Sequence, residues 1–299
     1  MTNEIHSRTY VLNGTTREAP RAERGLYLVA TPIGHLGDIT LRALDLIAGA
    51  DVLACEDTRV TGKLLSRFQI KRRMTPYHDH SSDETAASLV ETVQAGRSVA
   101  IVSDAGTPLV SDPGYRLVRA AIEADVPIFA IPGASAILTA LAVSGLPSDA
   151  FFFAGFLPSK EKARLDRIAA LTRVPGTLVI YEAPHRIAQS LAAMAEGLGD
   201  REAAVCRELT KMHETVYRGT LTRLAQDFCA MDQVKGEIVV CIAPPPQEAA
   251  PAEQDVDAIL AGLLAEMKPT QAAREAARLT GLNRRDLYQR ALALKDGQA

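Results

Sequence analysis

Apolar and polar positions alternate along the chain in blocks that fit strands and helices in turn. Short apolar runs such as GLYLVA (residues 25–30), DVLACE (51–56) and SVAIVS (98–103) stop at turn-forming residues and predict buried strands. Between them lie amphipathic stretches opened by small polar residues. Asp38 or Thr40 caps a helix running to about Ile47, and further helices are predicted over 58–68, from Ser81-Ser82-Asp83-Glu84 to near Gly96, over 115–123 and over 134–144. MTPYHDH (74–80) reads as a short extended piece broken by Pro76, and 126–131 as another strand. This β-α order with short connections predicts a largely parallel sheet covered by helices on both faces.

SGLPSD (144–149) reads as a hinge, after which FFFAGFLP, TLVIYE (177–182), AAVCREL, ETVYRGT and EIVVCIA predict strands. Several of these follow one another without long helices, so the second sheet is expected to be mixed. APPPQEAAPAEQ is a linker by composition. Beyond it, a helix ending at Thr280-Gly281 and another from about Asn283 predict a helix-turn-helix shape. The expected organisation is a disordered polar leader over 1–24, an α/β domain over 25–145, a second over 146–243, a linker over 244–253 and a helical module over 254–299.

Composition narrows the picture. The 299 residues are 47% hydrophobic, ample for sizeable cores, yet no run of 18 apolar residues predicts a membrane span. Cys55, Cys206, Cys229 and Cys241 are widely spaced with no CxxC pair, which fits buried free thiols in a reducing, cytoplasmic setting better than zinc or disulfides. A net charge of −3 argues against a protein coated in nucleic acid. The end differs from the average, because residues 268–299 hold seven Lys or Arg against three acids, a local excess that permits nucleic-acid contact.

The loops after the predicted strands carry the chemistry. GxGxxG and the Walker A loop are absent, so neither phosphate-binding signature applies. SDAGTPLVSDPG (103–114) packs two Ser-Asp pairs, two glycines and two prolines into twelve residues. Glycine lets backbone approach a ligand and proline fixes the path, although a helix-capping turn has the same composition. PGASA (132–136) opens a helix, so its amides can face a ligand.

In their order, TPIGHLGD, CEDTR, SDAGTPLVSDPG, PGASA and YEAPHR resemble the tetrapyrrole-methylase superfamily of S-adenosylmethionine-dependent methyltransferases, and within it the ribosomal RNA small subunit methyltransferase I family. The resemblance runs from Gly25 to Ala243 and includes the C-terminal helices. It implies two α/β domains of the class III methyltransferase fold, S-adenosyl-L-methionine in the cleft between them, a homodimer, and 2′-O-methylation of a cytidine in small-subunit (16S) ribosomal RNA. By position it implies a donor site made from Pro32, Gly34, Ser103, Asp104, Ala105, Gly106, Thr107, Pro132, Gly133, Ala134, Ser135, Ala136, Tyr181 and Glu182, much of it through backbone.

A sulfonium donor is already activated, so the protein mainly aligns the reactants and no metal is demanded. A ribose hydroxyl is a poor nucleophile, and a base or a cation beside the developing alkoxide helps. Asp57, Arg59, His78 and His80 are the catalytic candidates, with Lys160 and Lys211 as alternative cations. Arg59, His185, Arg186, Arg284 and Arg285 are candidates for RNA phosphates. Two other readings fit parts of the sequence: a methylase of a tetrapyrrole or other small molecule, and a non-catalytic nucleic-acid-binding protein using the basic tail.

Overall fold

The computed structural model describes residues 8–78, 81–112, 114–246, 253–280 and 282–296. His80, Gly281 and most of the expected linker lie outside these residues. Two strands, β1 (Thr9–Leu12) and β2 (Thr15–Glu18), come first and pair as an antiparallel hairpin. This corrects the expectation of a disordered leader over residues 8–24; residues 1–7 of it lie outside the described residues. Tyr10 is only 3% exposed, its hydroxyl donates to Asp45 Oδ1 at 3.0 Å, and the Val11 amide donates to Phe68 O at 2.8 Å. Tyr10 and Ala19 are buried in the same core as α1 and α2, and Leu12 and Ala22 pack against it.

The next stretch alternates strand and helix: β3 (Gly25–Val29), α1 (Leu41–Gly49), β4 (Val52–Cys55), α2 (Thr58–Arg67), β5 (Thr75–Pro76), α3 (Asp83–Gln94), β6 (Ser98–Val102), α4 (Tyr115–Glu123), β7 (Ile128–Ile131) and α5 (Ala136–Ser144). The strands form one sheet in the order β5-β4-β6-β3-β7, all parallel. Thr40, Asp57, Ser82 and Ser135 each accept a backbone N–H from the first turn of α1, α2, α3 and α5. Alternate strand residues feed two cores, as a buried parallel sheet requires. Val29 and Val102 join α1 and α2 residues such as Leu44, Ile47 and Leu64 on one face. Leu26 and Ile101 join Leu89, Val93 and Leu117 of α3 and α4 on the other.

The second sheet comprises β8 (Phe151–Phe156), β9 (Thr177–Glu182), β10 (Glu202–Arg207), β11 (Thr215–Thr220) and β12 (Ile238–Ile242), with α6 (Glu161–Leu171), α7 (Ile187–Leu198) and α8 (Leu221–Cys229) between them. Its order is β11-β10-β12-β9-β8, and only β8 and β9 run parallel. Residues of α6, α7 and α8, including Ile168, Leu191 and Phe228, cover one face. The other face is covered by α5, whose Ile137, Ala140 and Leu141 pack on Val179, Ala204, Val239 and Cys241. The two halves expected as separate domains therefore share a core, and the first compact unit extends to Pro244.

The second unit begins at Pro245. Its helices α9 (Glu253–Glu266), α10 (Pro269–Thr280) and α11 (Arg284–Asp296) bury Val256, Leu260, Ala273, Ala276, Leu287 and Ala291 together. Arg290 Nε donates to Asp257 Oδ1 at 2.6 Å and ties α11 to α9. Among the described residues no helix is long and apolar enough to cross a membrane. Cys55, Cys206 and Cys241 are buried as expected of free thiols, whereas Cys229 is exposed at the end of α8.

If the N-terminal hairpin belongs to the fold, Tyr10→Ala destabilises the protein by about 3 kcal/mol in urea unfolding, the usual range for emptying a buried aromatic site. An unchanged midpoint would show that the hairpin is dispensable.

Candidate active site

Because the first sheet is all parallel, its strands end on one edge, and the unusual loops emerge there together. The loop after β6 folds back onto the end of β3. Thr31 and Gly106 exchange two backbone hydrogen bonds, at 2.9 and 3.0 Å, and the Thr31 hydroxyl donates to Ser103 O at 3.2 Å. Ser103 Oγ in turn donates to Gly106 O at 3.3 Å, and Thr107 Oγ1 to Ala134 O at 3.5 Å. These bonds stitch SDAGT to TPIG on one side and PGASA on the other. Gly106 sits at φ +79°, a conformation that favours glycine. Leu109 and Ser111, at φ +75° and +63°, adopt the same sparsely populated region without being glycine.

The second sheet contributes through its antiparallel pairing. Glu182 lies opposite Ile238 and Tyr181 opposite Val239, so the end of β9 and the start of β12 converge. Cys206 of β10 is opposite Val239, and Phe156 of β8 is opposite Tyr181. Together the two sheets enclose a cleft of about 420 Å³, within the range of small-molecule sites. Ala105, Gly106, Thr107, Ser135, Ala136, Tyr181 and Glu182, all named above as donor-site candidates, line it.

The remaining expected donor residues are not on the cleft lining. Pro32 is buried, with its neighbour Ile33 facing the cleft instead. Gly34 packs so closely that a Cβ there would lie 2.5 Å from Lys211 Cγ. A Cβ on Gly133 would lie 2.9 Å from that of Ala30. Ser103 and Ala134 hold the loop through the hydrogen bonds above, and Pro132 is exposed. Gly106 has both backbone groups engaged by Thr31, so any main-chain contact to a ligand falls to its neighbours.

Sequence reasoning missed the second-sheet wall of Cys206, Leu209 and residues 236–239. It searched the carboxyl ends of strands, whereas β12 enters the cleft at its start. The available signal was RELTK, a polar corner directly after a buried strand. There Glu208 and Thr210 hold φ +53° and +63°, and Lys211 Nζ bridges Glu208 Oε1 at 2.9 Å and Glu237 Oε2 at 3.1 Å.

Glu182 is the most unusual group in the cleft. Its side chain is fully buried; Oε1 accepts Arg186 Nε–H and the Ala183 amide, while Oε2 is buried with no hydrogen-bond partner. Arg186 also donates to Leu157 O at 3.0 Å, so its guanidinium turns inward and orients Glu182 rather than facing solvent. Burial, and then the charges of Asp112 and Glu237, push the Tyr181 phenol up to about 12, which keeps its proton in place at neutral pH.

At the rim, Asp57 and Arg59 form a fork. Arg59 Nη2 donates to Asp57 Oδ2 at 2.5 Å and Nε to Oδ1 at 3.1 Å. The Asp57 amide donates to Asp104 Oδ1 at 3.1 Å and joins the fork to the cleft-lining loop. Hydrogen bonds from Arg59 lower the Asp57 carboxyl to about 2, whereas burial raises that of Asp104. Asp57 is thus a weak proton acceptor at neutral pH. The ends of β4 and β5 are paired neighbours, which brings His78 to the same edge, exposed, with its amide donating to Ser81 Oγ at 2.8 Å. His185 is exposed at the helical turn after β9. Arg284 and Arg285 are exposed at the start of α11 in the second unit. Lys160 immediately precedes α6 and is not part of the cleft lining.

Titration of Asp57 followed by NMR should give a midpoint near 2 that returns toward the ordinary carboxylate range in Arg59→Gln. The sign follows from a depressed folded value: the stabilisation is present above about pH 4 and is lost as pH falls toward 2. An unshifted midpoint in the parent protein would contradict the fork.

A family model for Tetrapyrrole (Corrin/Porphyrin) Methylases matches residues 25–225, and one for the RsmI C-terminal HTH domain matches residues 249–295. The Ribosomal RNA small subunit methyltransferase I of Mesorhizobium japonicum is 56% identical over 275 residues, covering 92% of this chain and 93% of its own. The protein of the same name from Erythrobacter litoralis is 52% identical over 271 residues, covering 91% and 95%. Among solved structures, uroporphyrin-III C-methyltransferase from Thermus thermophilus complexed with S-adenyl homocysteine aligns with a TM-score of 0.50 at 21% identity, over 73% of this chain and 96% of that one. With family models matched over residues 25–225 and 249–295 and these relatives aligned over more than nine-tenths of its length, the chain belongs to the ribosomal RNA small subunit methyltransferase I family of the tetrapyrrole-methylase fold.

Proposed function

We propose that the protein transfers a methyl group from S-adenosyl-L-methionine to the ribose 2′-oxygen of a cytidine in small-subunit ribosomal RNA, in the cytoplasm and as a homodimer. The observation that carries this reading is the cleft itself, with Glu182 on its wall and that residue's Oε2 buried without a hydrogen-bond partner. A buried carboxylate oxygen calls for a hydrogen-bond donor, and the methyl donor offers an ammonium, ribose hydroxyls and an adenine amine. The mixed wall of Ile33, Ala136 and Val239 beside Thr107 and Ser135 suits a nucleoside with a charged end. When bound, the donor supplies an activated methyl on a positive sulfur.

The chain's own residues align and shield. Glu182, held by Arg186, fixes the donor. Tyr181, packed edge-on to Phe153 and Phe156 at 4.9 and 5.4 Å, gives a rigid wall that keeps its phenolic proton. Asp57 orients Arg59 at the rim, and Arg59 stabilises a phosphate or the developing alkoxide. His78 and His80 join the substrate side, and His185, Arg284 and Arg285 contact RNA phosphates. Arg186 serves as a positioning residue. The names of the relatives support RNA over a tetrapyrrole as substrate. Exposed apolar side chains on edge strands β7 and β8, Phe129, Phe151 and Phe152, support a homodimer.

Small ribosomal subunits from cells lacking the protein, incubated with it and methyl-labelled donor, should gain one 2′-O-methylcytidine in 16S RNA. Methylation of a precorrin-like substrate with none on RNA would reverse the reading. Ala136→Leu fills the cleft and should weaken donor binding about tenfold in calorimetry, with the fold retained. Undiminished affinity would move the donor elsewhere.

A further inference from the structure

The basic tail is not the largest concentration of positive charge. Residues 58–73 carry Arg59, Lys63, Arg67, Lys71, Arg72 and Arg73 and no Asp or Glu, in a chain whose net charge is −3. The structure sorts them. Arg72 turns inward, donating to Ile47 O and to Ala50 O at 2.8 Å, where it caps the C-terminal carbonyls of α1. Arg59, Lys63 and Arg67 recur at every fourth residue of α2, so they form one stripe with about 6 Å of rise between neighbours. The opposite face of α2 buries Thr61, Leu64 and Leu65 in the core, which fixes the stripe toward solvent. Lys71 and Arg73 follow in the segment that leads from α2 back to β5, and all four of Lys63, Arg67, Lys71 and Arg73 are exposed.

Among the described residues, no ion pair with an acid engages these four. Arg67 makes only a cation–π contact, 5.9 Å from the centroid of the Phe68 ring. Like charges four apart on a helix repel, so the stripe works against the helix that carries it until a polyanion neutralises it. The ridge also starts in the right place. Asp57 caps α2 and bonds to Asp104, the residue before the cleft-lining Ala105, so the row of cations begins at the rim and leads away from it.

We propose that the α2 ridge and the segment that follows it form a phosphate-binding surface, on which Lys63, Arg67, Lys71 and Arg73 hold the RNA strand that delivers the target ribose to the cleft. This rests on the RNA-methylating reading above. A regular row of cations recognises a repeated phosphate through charge and counterion release, without sequence readout. It acts separately from the C-terminal helices, whose cations lie on another unit.

The test compares the intact protein with the quadruple variant Lys63→Gln, Arg67→Gln, Lys71→Gln, Arg73→Gln, measuring affinity for unmethylated small ribosomal subunits at several salt concentrations and affinity for S-adenosylmethionine by calorimetry. The expected result is a loss of RNA affinity on the order of tenfold or more at low salt and a salt slope shallower by about 3, with donor affinity unchanged. Should the quadruple variant misfold, Lys63→Glu and Lys71→Glu singly should each flatten the slope by about 1, with Lys→Arg at either site restoring it. Unchanged slope and affinity in a variant that still binds donor would overturn the phosphate-binding surface while leaving the methylation reading intact. Loss of binding to phosphatidylserine vesicles with RNA binding preserved would also overturn it. An intact protein that methylates no RNA would remove the proposed function instead, and the phosphate-binding surface with it.

Discussion

The cleft depends on one packing contact. Ile137, Ala140 and Leu141 of α5 sit on Val179, Ala204, Val239 and Cys241 of the second sheet, so a helix that belongs by sequence to the first half completes the core of the second. That contact sets the parallel strand ends of one sheet against the β9–β12 edge of the other, at a separation that leaves about 420 Å³ between them. Protein cores are close-packed and resist continuous deformation, so the cleft is held open by the same contact that joins the halves. Ser135 caps α5 and lines the cleft at once, which ties the helix start to the site.

Around that frame, polar groups are divided by burial. Glu182 and Arg186 are withdrawn from solvent and fixed by hydrogen bonds, with one carboxylate oxygen of Glu182 buried and unpartnered. Asp57 and Arg59 are held by each other at the open rim, where Arg59 keeps 88% of its side chain exposed. Buried, pre-aimed groups suit a small charged ligand, and exposed cations suit a large polyanion. The backbone strain follows the same division. Leu109, Ser111, Glu208 and Thr210 lie in two loops that border the cleft, and their unfavourable φ values are sustained by the packing around them.

Much of this was legible in the sequence, for physical reasons that differ by element. Buried parallel strands are uninterrupted apolar runs, so β3, β4 and β6 stood out, and caps such as Thr40 and Ser82 marked helix starts within a residue or two. The first-sheet side of the cleft was visible because strand-end loops in parallel sheets gather on one edge. Of the second-sheet wall only Tyr181 and Glu182 were visible, because in antiparallel pairing a strand's start is as near the site as another's end, and the start of β12 carries no strand-end signal. The N-terminal hairpin was hidden by its composition, since a few residues such as Tyr10, Leu12 and Ala19 dock it while β2 is wholly exposed. Arg186 read as a phosphate ligand, and only its turn toward Glu182 reveals a structural task. The α2 ridge was written plainly in residues 58–73, yet net charge averaged it away.

The central claim is that the cleft between the two sheets holds the methyl donor. A crystal structure of the protein with S-adenosylhomocysteine tests it most directly. The account predicts the ligand between Ala105–Thr107 and Tyr181–Glu182, with one of its N–H or O–H groups donating to Glu182 Oε2. A ligand bound elsewhere on the chain, with Glu182 Oε2 still unpartnered, would contradict it.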